Sequence, residues 1–299
     1  MRRTDPFAGR RCVVAGGAGA VGAMVADLLR GAGAHVLVVD AHADTARGDL
    51  RGDVTAPAHW LATELARADV VVLAVPEPVV LEAVDRVAAA MRPGALLVDT
   101  ASVKGRVVAA ERAHAAHLEA VSLNPLFAPS LGLDGRPVAA VVVHDGPGAR
   151  ALLDLVGRRG GRVVRVTAPE HDRIAGATQA LTHAAVLAFG LALSELDVDG
   201  ADLRALGPPP HATLLALLAR IASGRPETYW DVQAANPHAA PARAALAAAA
   251  RRLADLVDEG DEPAFAAVLA GLRAGLGPDL DHHRRACEQA FRQTTERTA

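Results

Sequence analysis

The sequence lacks the patterns that mark several large classes of protein. Cysteine occurs only twice, at Cys12 and Cys287, so we expect free thiols in a reducing, cytoplasmic compartment rather than a disulfide framework. Neither the cysteines nor the 12 histidines show the spacing of metal ligands, and we expect no metal site. No apolar run reaches the roughly 18 residues of a membrane span.

Basic patches are also missing. The formal net charge is −3, the isoelectric point is about 6.5, and no long run of Lys and Arg occurs. These values give no electrostatic case for nucleic acid or a membrane surface, so a small-molecule partner is expected. Lys104 is the only lysine among 31 basic residues. GC-rich coding explains the preference for arginine, but it does not explain why this lysine remains.

The 299 residues, 51% of them apolar, are enough for a large core and two domains. In the first half, short β-branched runs alternate with helical stretches, which predicts a Rossmann-type, doubly wound parallel sheet in an α/β domain. The predicted strands are RCVVAG, HVLVVD, DVVVLAVP, ALLVDT, EAVSLNP and PVAAVVVH, with RVVRVT as a possible seventh that ends near Thr167.

After this point the pattern becomes helical, beginning with APEHDRIAGATQALTHAAVLAFGLALSEL. We therefore predict two domains, a Rossmann domain at residues 1–167 and an all-helical substrate and dimerisation domain at residues 168–299. Helices this apolar can cover only part of one another, so we expect a homodimer through the helical domain.

The segment VVAGGAGAVG carries Gly17, Gly19 and Gly22 in G-x-G-x-x-G spacing between a strand and a helix. The first glycine permits a tight turn, the second a close approach to pyrophosphate, and the third close helix packing. Asp40 ends the next strand, where it can accept hydrogen bonds from the ribose hydroxyls and repel a 2′-phosphate, so NAD is favoured over NADP. The alternative is a glycine-rich turn that binds nothing, or a different nucleotide.

Ligands of open parallel sheets bind beyond the carboxyl ends of the strands. Ser102, Lys104 and Asn124 each follow such an end and are expected to converge near the nicotinamide. For Lys104 taken by itself, an ordinary surface position is the stronger interpretation.

Several segments resemble, in the correct order, the signature segments of the prephenate dehydrogenases. They are LLVDTASVKG, LNPLFAPS, PEHD followed by QALTHAAVLAFG, and LLARIASGRPETYWDV. The resemblance implies NAD-dependent oxidative decarboxylation of a cyclohexadienyl substrate, on a dimer held together by the helical domain. It also implies that Ser102 contacts the C4 substituent, that Arg220 binds the ring carboxylate, and that His183 lines the substrate pocket. From the residues alone, Arg220 would be a solvated helix residue and His183 a core histidine.

We assign Asn124, Ser102 and His183 to the catalytic group, and Arg220 and Lys104 to substrate binding. The segment NPLFAP departs from the family pattern, because Asn124 stands where the family has a histidine that acts as general base for the 4-hydroxyl. An amide cannot take up a proton at neutral pH. Three interpretations follow: a poor or inactive relative, a base supplied by another residue such as His183, or a substrate that needs no base.

The third interpretation is preferred. A neutral C4 amine can expel hydride by means of its lone pair, which makes 4-amino-4-deoxyprephenate the expected substrate and 4-aminophenylpyruvate the product. This is the chemistry of the family branch that supplies 4-aminophenylalanine to natural-product pathways. The alternatives are a prephenate dehydrogenase for tyrosine synthesis, a non-catalytic NAD-binding relative, and a hydroxyacid or imine reductase.

Overall fold

The computed structural model describes residues 5–43 and 49–296, and these divide into two compact units, Met1–Ala175 and Gly176–Ala299. The boundary predicted after Thr167 lies one short helix earlier. That helix, Ala168–Ala175, belongs to the first unit because its Asp172 accepts hydrogen bonds from the backbone N–H groups of Lys104 and Gly105. The functions assigned to the two domains stay predictions.

The first unit is built on an eight-stranded sheet. Its strands are β1 Arg11–Ala15, β2 His35–Asp40, β3 Leu50–Arg51, β4 Val70–Leu73, β5 Leu96–Asp99, β6 Glu119–Pro125, β7 Pro137–His144 and β8 Arg162–Arg165. They lie in the order β3-β2-β1-β4-β5-β6-β7-β8. The predicted α/β class is confirmed, and a two-residue strand that the sequence did not indicate, β3, is added at one edge.

The sequence predicted a parallel sheet, but one pair of strands is antiparallel. Strands β6 and β7 pair antiparallel, with Asn124 opposite Ala139, whereas the other neighbouring pairs are parallel. The connection between them, residues 126–136, contains only the 3₁₀ turn Pro129–Leu131. A parallel pair requires a longer crossover, usually a helix, so a short connection of this kind returns the chain antiparallel.

Helices cover both faces of this sheet. The helices are α1 Ala20–Arg30, α2 His59–Arg67, α3 Glu77–Ala90, α4 Gly105–His114, α5 Pro147–Arg158 and α6 Ala168–Ala175. Alternate residues of each strand point to opposite faces, so Cys12 and Val14 join the core beneath α1 and α5, while Val13 and Ala15 join the core beneath α2, α3 and α4.

The position of β1 determines where a ligand can bind. The chain runs outward from β1 through β2 to β3 and then returns to place β4 on the other side of β1. Such a reversal opens a crevice at the carboxyl ends of the strands. The glycine-rich turn follows β1 at this point.

The second unit is helical and leaves much of its apolar surface exposed. Its described elements begin with a π-helical segment, Gly176–Ala180, followed by α7 Leu181–Ser194, α8 Gly200–Leu206, α9 Pro209–Ala222, α10 Pro226–Ala234, α11 Ala239–Asp258, α12 Glu262–Leu276 and α13 Leu280–Glu296. The continuous helix Ala168–Ser194 is long and apolar enough to cross a membrane, a test that core helices of soluble proteins also pass.

Candidate active site

The turn after β1 has the close approaches that a dinucleotide-binding turn requires. Gly16 has φ +76°, and a Cβ atom there would overlap the carbonyl oxygen of Ala74. A Cβ atom at Gly22 would overlap the carbonyl oxygen of Gly16, which explains the close packing of α1 on β1. The left-handed residue of the turn is therefore Gly16, which comes directly before the G-x-G-x-x-G spacing. Gly17 is constrained instead by contact with Val38.

The first turn of α1 is available to an anion. Gly19 is its N-cap residue in an extended conformation, and among the described residues no side chain caps the helix. Its free N–H groups and the helix dipole favour a pyrophosphate. Asp40 lies beside this turn, since its carboxylate accepts hydrogen bonds from Ala18 N at 3.3 Å and from His42 N at 2.9 Å. The residues present therefore fit a dinucleotide with free ribose hydroxyls.

A chain of three polar side chains begins at the end of β6. The buried Asn124 has its Nδ2 atom 3.0 Å from Nε2 of His171, and Nδ1 of His171 lies 2.9 Å from Oδ1 of Asp172. His171 and Asp172 are on α6 and are also buried. The sequence placed this pair in the PEHD segment but gave it no function.

Asp172 is held as a carboxylate by several donors. Lys104 N and Gly105 N each donate to it at 2.8 Å, at the start of α4. Burial favours the neutral acid, but the hydrogen bonds from His171 and from these two amides outweigh burial and lower the pKa of Asp172. Asp172 thus joins α6, α4 and the histidine that contacts Asn124.

Lys104 is fully buried, so the surface position considered for it is wrong. Its Nζ atom donates to the carbonyl oxygen of Leu123 at 2.7 Å and lies 3.4 Å from Oδ1 of the buried Asp99. This placement argues against the direct contact with substrate that the sequence predicted, because the ammonium group is bonded inside the domain. Its partner Leu123 is the residue before Asn124.

Burial changes the pKa of two titratable groups in this network. Burial lowers the pKa of Lys104, an effect opposed by Asp99, Glu111 and Asp172. Burial and the charge of Asp99 raise the pKa of Glu111 well above its usual value, which favours the protonated acid. Ser102 lies half-buried in the loop between Asp99 and Lys104, so the structure places it on the same loop as this network.

Within the helical unit, His183 and Arg220 are brought near each other. The ring of His183 meets the ring of Tyr229 edge to face, with centroids 5.0 Å apart, and Tyr229 Oη donates to the carbonyl oxygen of Arg220 at 3.4 Å. Burial, and then the charge of Arg220, lower the pKa of His183. Its Nδ1 atom is buried without a hydrogen-bond partner among the described residues. His183 is thus a neutral imidazole with one free nitrogen.

The sequence gave little warning of two of these contacts. The edge-to-face contact of Tyr229 with His183 was not foreseen from the sequence. The contact of His171 with Asn124 joins positions 47 residues apart. The adjacent histidine and aspartate of the PEHD segment, at the start of a predicted helix, were the available signal. In the described part of the chain, no group of three or more His, Cys, Asp or Glu side chains could hold a metal ion.

A dinucleotide turn at the switch point of a Rossmann sheet, an acidic residue after β2 and polar groups after β5 and β6 define a nicotinamide-dependent dehydrogenase with a helical second domain. Residues 25–137 match the model of the prephenate dehydrogenase nucleotide-binding domain, and residues 167–271 match that of the prephenate dehydrogenase dimerization domain. The chain belongs to the prephenate dehydrogenase family.

Three relatives illustrate the match. A 4-amino-4-deoxyprephenate dehydrogenase from Streptomyces pristinaespiralis is 55% identical over 284 residues, which cover 94% of this chain and 96% of the relative. The prephenate dehydrogenase of A. aeolicus, solved with hydroxyphenyl propionate and NAD⁺, has a TM-score of 0.70 at 18% identity and covers 89% of this chain and 96% of its own. The Synechocystis arogenate dehydrogenase has a TM-score of 0.63 at 17% identity, and the match covers 91% of this chain and 99% of the Synechocystis chain. At these identities the two crystal structures support the fold alone.

Proposed function

We propose that this protein is an NAD-dependent dehydrogenase that converts 4-amino-4-deoxyprephenate to 4-aminophenylpyruvate with loss of carbon dioxide. The observation that carries the proposal is Asn124, a buried amide at the position where the family resemblance implies a general base. The 55% identity with the Streptomyces enzyme over nearly the whole chain supports the same substrate, so the alternative of a prephenate dehydrogenase is not favoured.

The cofactor is NAD, and the turn at Gly16–Gly22, the first turn of α1 and Asp40 would hold it. When bound, NAD accepts the hydride that leaves C4 of the substrate. The carboxylate of Asp40 accepts hydrogen bonds from ribose hydroxyls and repels a 2′-phosphate, which gives preference for NAD over NADP.

The C4 amine removes the need for a base at the moment of oxidation. As the C4–H bond breaks with its electron pair, the nitrogen lone pair forms a C=N bond and the nitrogen becomes an iminium. The bond from C1 to the carboxylate then breaks, its electrons complete the aromatic ring and neutralise the iminium, and carbon dioxide leaves. From the neutral amine, no proton has to leave nitrogen before the hydride does.

Asn124 suits this sequence of events. Its amide oxygen can accept an N–H hydrogen bond from the amine, and the bond strengthens as positive charge develops on nitrogen. Unlike a histidine, the amide cannot become positively charged beside the iminium. For prephenate, whose 4-hydroxyl must lose its proton, the missing base should cost roughly 10²–10⁴ in rate.

Other residues complete substrate binding. The guanidinium of Arg220 suits the ring carboxylate because its planar group forms two parallel hydrogen bonds. His183, with its free Nδ1, is proposed to line the substrate pocket as a neutral imidazole, and Ser102 is proposed to contact the C4 substituent. Lys104 is assigned to holding Asn124 through Leu123 rather than to the substrate.

A second copy of the chain is the proposed partner of the helical unit. Large apolar side chains are exposed there, among them Leu191, Leu206, Trp230, Leu253 and Leu272. Membership of this family indicates a soluble protein, so we propose that these residues are buried in a homodimer, in the cytoplasm. Light scattering should give twice the chain mass, and a monomer at micromolar concentration would contradict the dimer.

Replacing Asn124 tests the proposed function. The Asn124→His variant should gain activity on prephenate by about 10²-fold or more, because a base is restored. Asn124→Gln is the matched control, since it also enlarges the side chain but cannot take up a proton. NADH formation with each substrate is the measurement. An Asn124→His variant that gains nothing on prephenate, while it still binds NADH, would count against the proposed function of Asn124.

A further inference from the structure

The orientation of the Asn124 amide follows from the groups behind it. Asp172 accepts hydrogen bonds from two backbone N–H groups, which can only donate, and its carboxylate form has no proton of its own to give. The 2.9 Å contact with Nδ1 of His171 therefore has the imidazole N–H as donor. Asp172 thus determines which ring nitrogen of His171 carries the proton.

The protonation of the ring then determines the orientation of the amide. Nδ2 of Asn124, which can only donate, lies 3.0 Å from Nε2 of His171, so Nε2 is the acceptor of this pair and the ring carries its proton on Nδ1. The amide oxygen of Asn124 therefore faces away from His171. Among the described residues, no group donates a hydrogen bond to the amide oxygen of Asn124, so this oxygen is the atom available to a ligand.

Hydrogen bonds also fix the backbone around Asn124. Asn124 is paired with Ala139 in the antiparallel ladder between β6 and β7. The preceding carbonyl group, of Leu123, accepts the hydrogen bond of the buried Lys104, whose own backbone N–H donates to Asp172. Lys104 therefore supports Asn124 from two sides: through the backbone of Leu123, and through Asp172 and His171.

Resting on the proposed function above, we propose that His171 is a positioning residue that turns the amide oxygen of Asn124 toward the C4 substituent and thereby favours an amine substrate. An oxygen facing the developing iminium stabilises it, whereas an NH₂ group would place positive partial charge beside it. Asp172 contributes by fixing the tautomer of His171. Without His171, the amide is free to rotate between a favourable and an unfavourable orientation.

Steady-state kinetics of His171→Leu test this assignment. We expect kcat on 4-amino-4-deoxyprephenate to fall about 10-fold, the effect of one lost hydrogen bond of ordinary strength, with the KM for NAD unchanged. His171→Gln should retain more activity than His171→Leu, because its side-chain oxygen can accept the N–H of Asn124. His117→Leu is the matched control, since His117 bonds to the carbonyl oxygen of Ala88 in the same domain. Its kcat should be unchanged.

A double-mutant cycle separates positioning from a general effect on structure. If His171 acts through Asn124, then His171→Leu should cause no further loss in the Asn124→Ala background. Equal losses in both backgrounds, or a His171→Leu variant as active as the unmodified enzyme, would overturn the positioning function while leaving the proposed substrate intact. An unmodified enzyme that does not oxidise the amine would overturn the proposed function first, and the orientation argument with it.

Discussion

Replacing Lys104 by methionine distinguishes the position found for this lysine from the substrate contact that the sequence predicted. Methionine keeps much of the side-chain volume but removes the ammonium group. The variant loses the hydrogen bond from Nζ to the Leu123 carbonyl oxygen and leaves the buried Asp99 without its counter-charge. Breaking a buried ion pair by removing one partner costs about 3–5 kcal/mol. Asp99 keeps the hydrogen bond from Ala101 N, so we expect a loss at the lower end of this range, about 3 kcal/mol.

Thermal unfolding is the assay. A loss of about 3 kcal/mol should lower the Tm of the Rossmann domain by about 6–12 °C. The double variant Lys104→Met with Asp99→Asn should recover much of this loss, because no unpaired charge then remains buried. The reasoning is refuted if Lys104→Met is as stable as the unmodified protein and instead raises the KM for substrate 10-fold or more, since the side chain would then contact the substrate.

Three further variants test the cofactor site, the carboxylate site and the buried aspartate. Asp40→Ala should raise the KM for NAD about 10-fold and reduce discrimination against NADP. An unchanged KM for NAD would show that Asp40 does not bind the ribose. Arg220→Lys should raise the KM for substrate about 10-fold or more while the KM for NAD stays constant, because a lysine cannot form the bidentate pair. Because the pKa of Asp172 is lowered in the fold, its stabilisation is present above the unfolded-state pKa and is lost as pH falls through the lowered value. Asp172→Asn should thus lose about 2 kcal/mol at neutral pH, with Tm values that converge with the unmodified protein in acid.

The strands were predictable because buried strands typically consist of short β-branched runs bounded by glycine and proline. Val70–Leu73 shows this pattern, and Leu96–Asp99 is a short apolar run that follows Pro93 and Gly94. Both strands lie where the sequence indicates. The direction of β7 was not predictable from composition, because a strand buried on both faces has the same residues in either direction. Only the short connection from β6 to β7 carries that information.

The candidate site was predictable only in part. Asn124 could be singled out because its motif departs from the family pattern at one position. Its interaction with His171 depends on contacts across 47 positions, and the bond from Lys104 to Asp172 spans 68. Contacts between residues so far apart in the sequence depend on the packing of α6 against α4, which no local sequence pattern predicts. The burial of Lys104 belongs to the same class, since residue type alone predicts an exposed lysine.

The most direct test of the proposed function is NADH formation by the unmodified protein with 4-amino-4-deoxyprephenate and, separately, with prephenate, at equal substrate and saturating NAD. We expect turnover of the amino compound to exceed that of prephenate by roughly 10²-fold or more, as for a base that only one substrate requires. Equal or faster turnover of prephenate would contradict the assignment, because another group would then be supplying the base that Asn124 cannot provide.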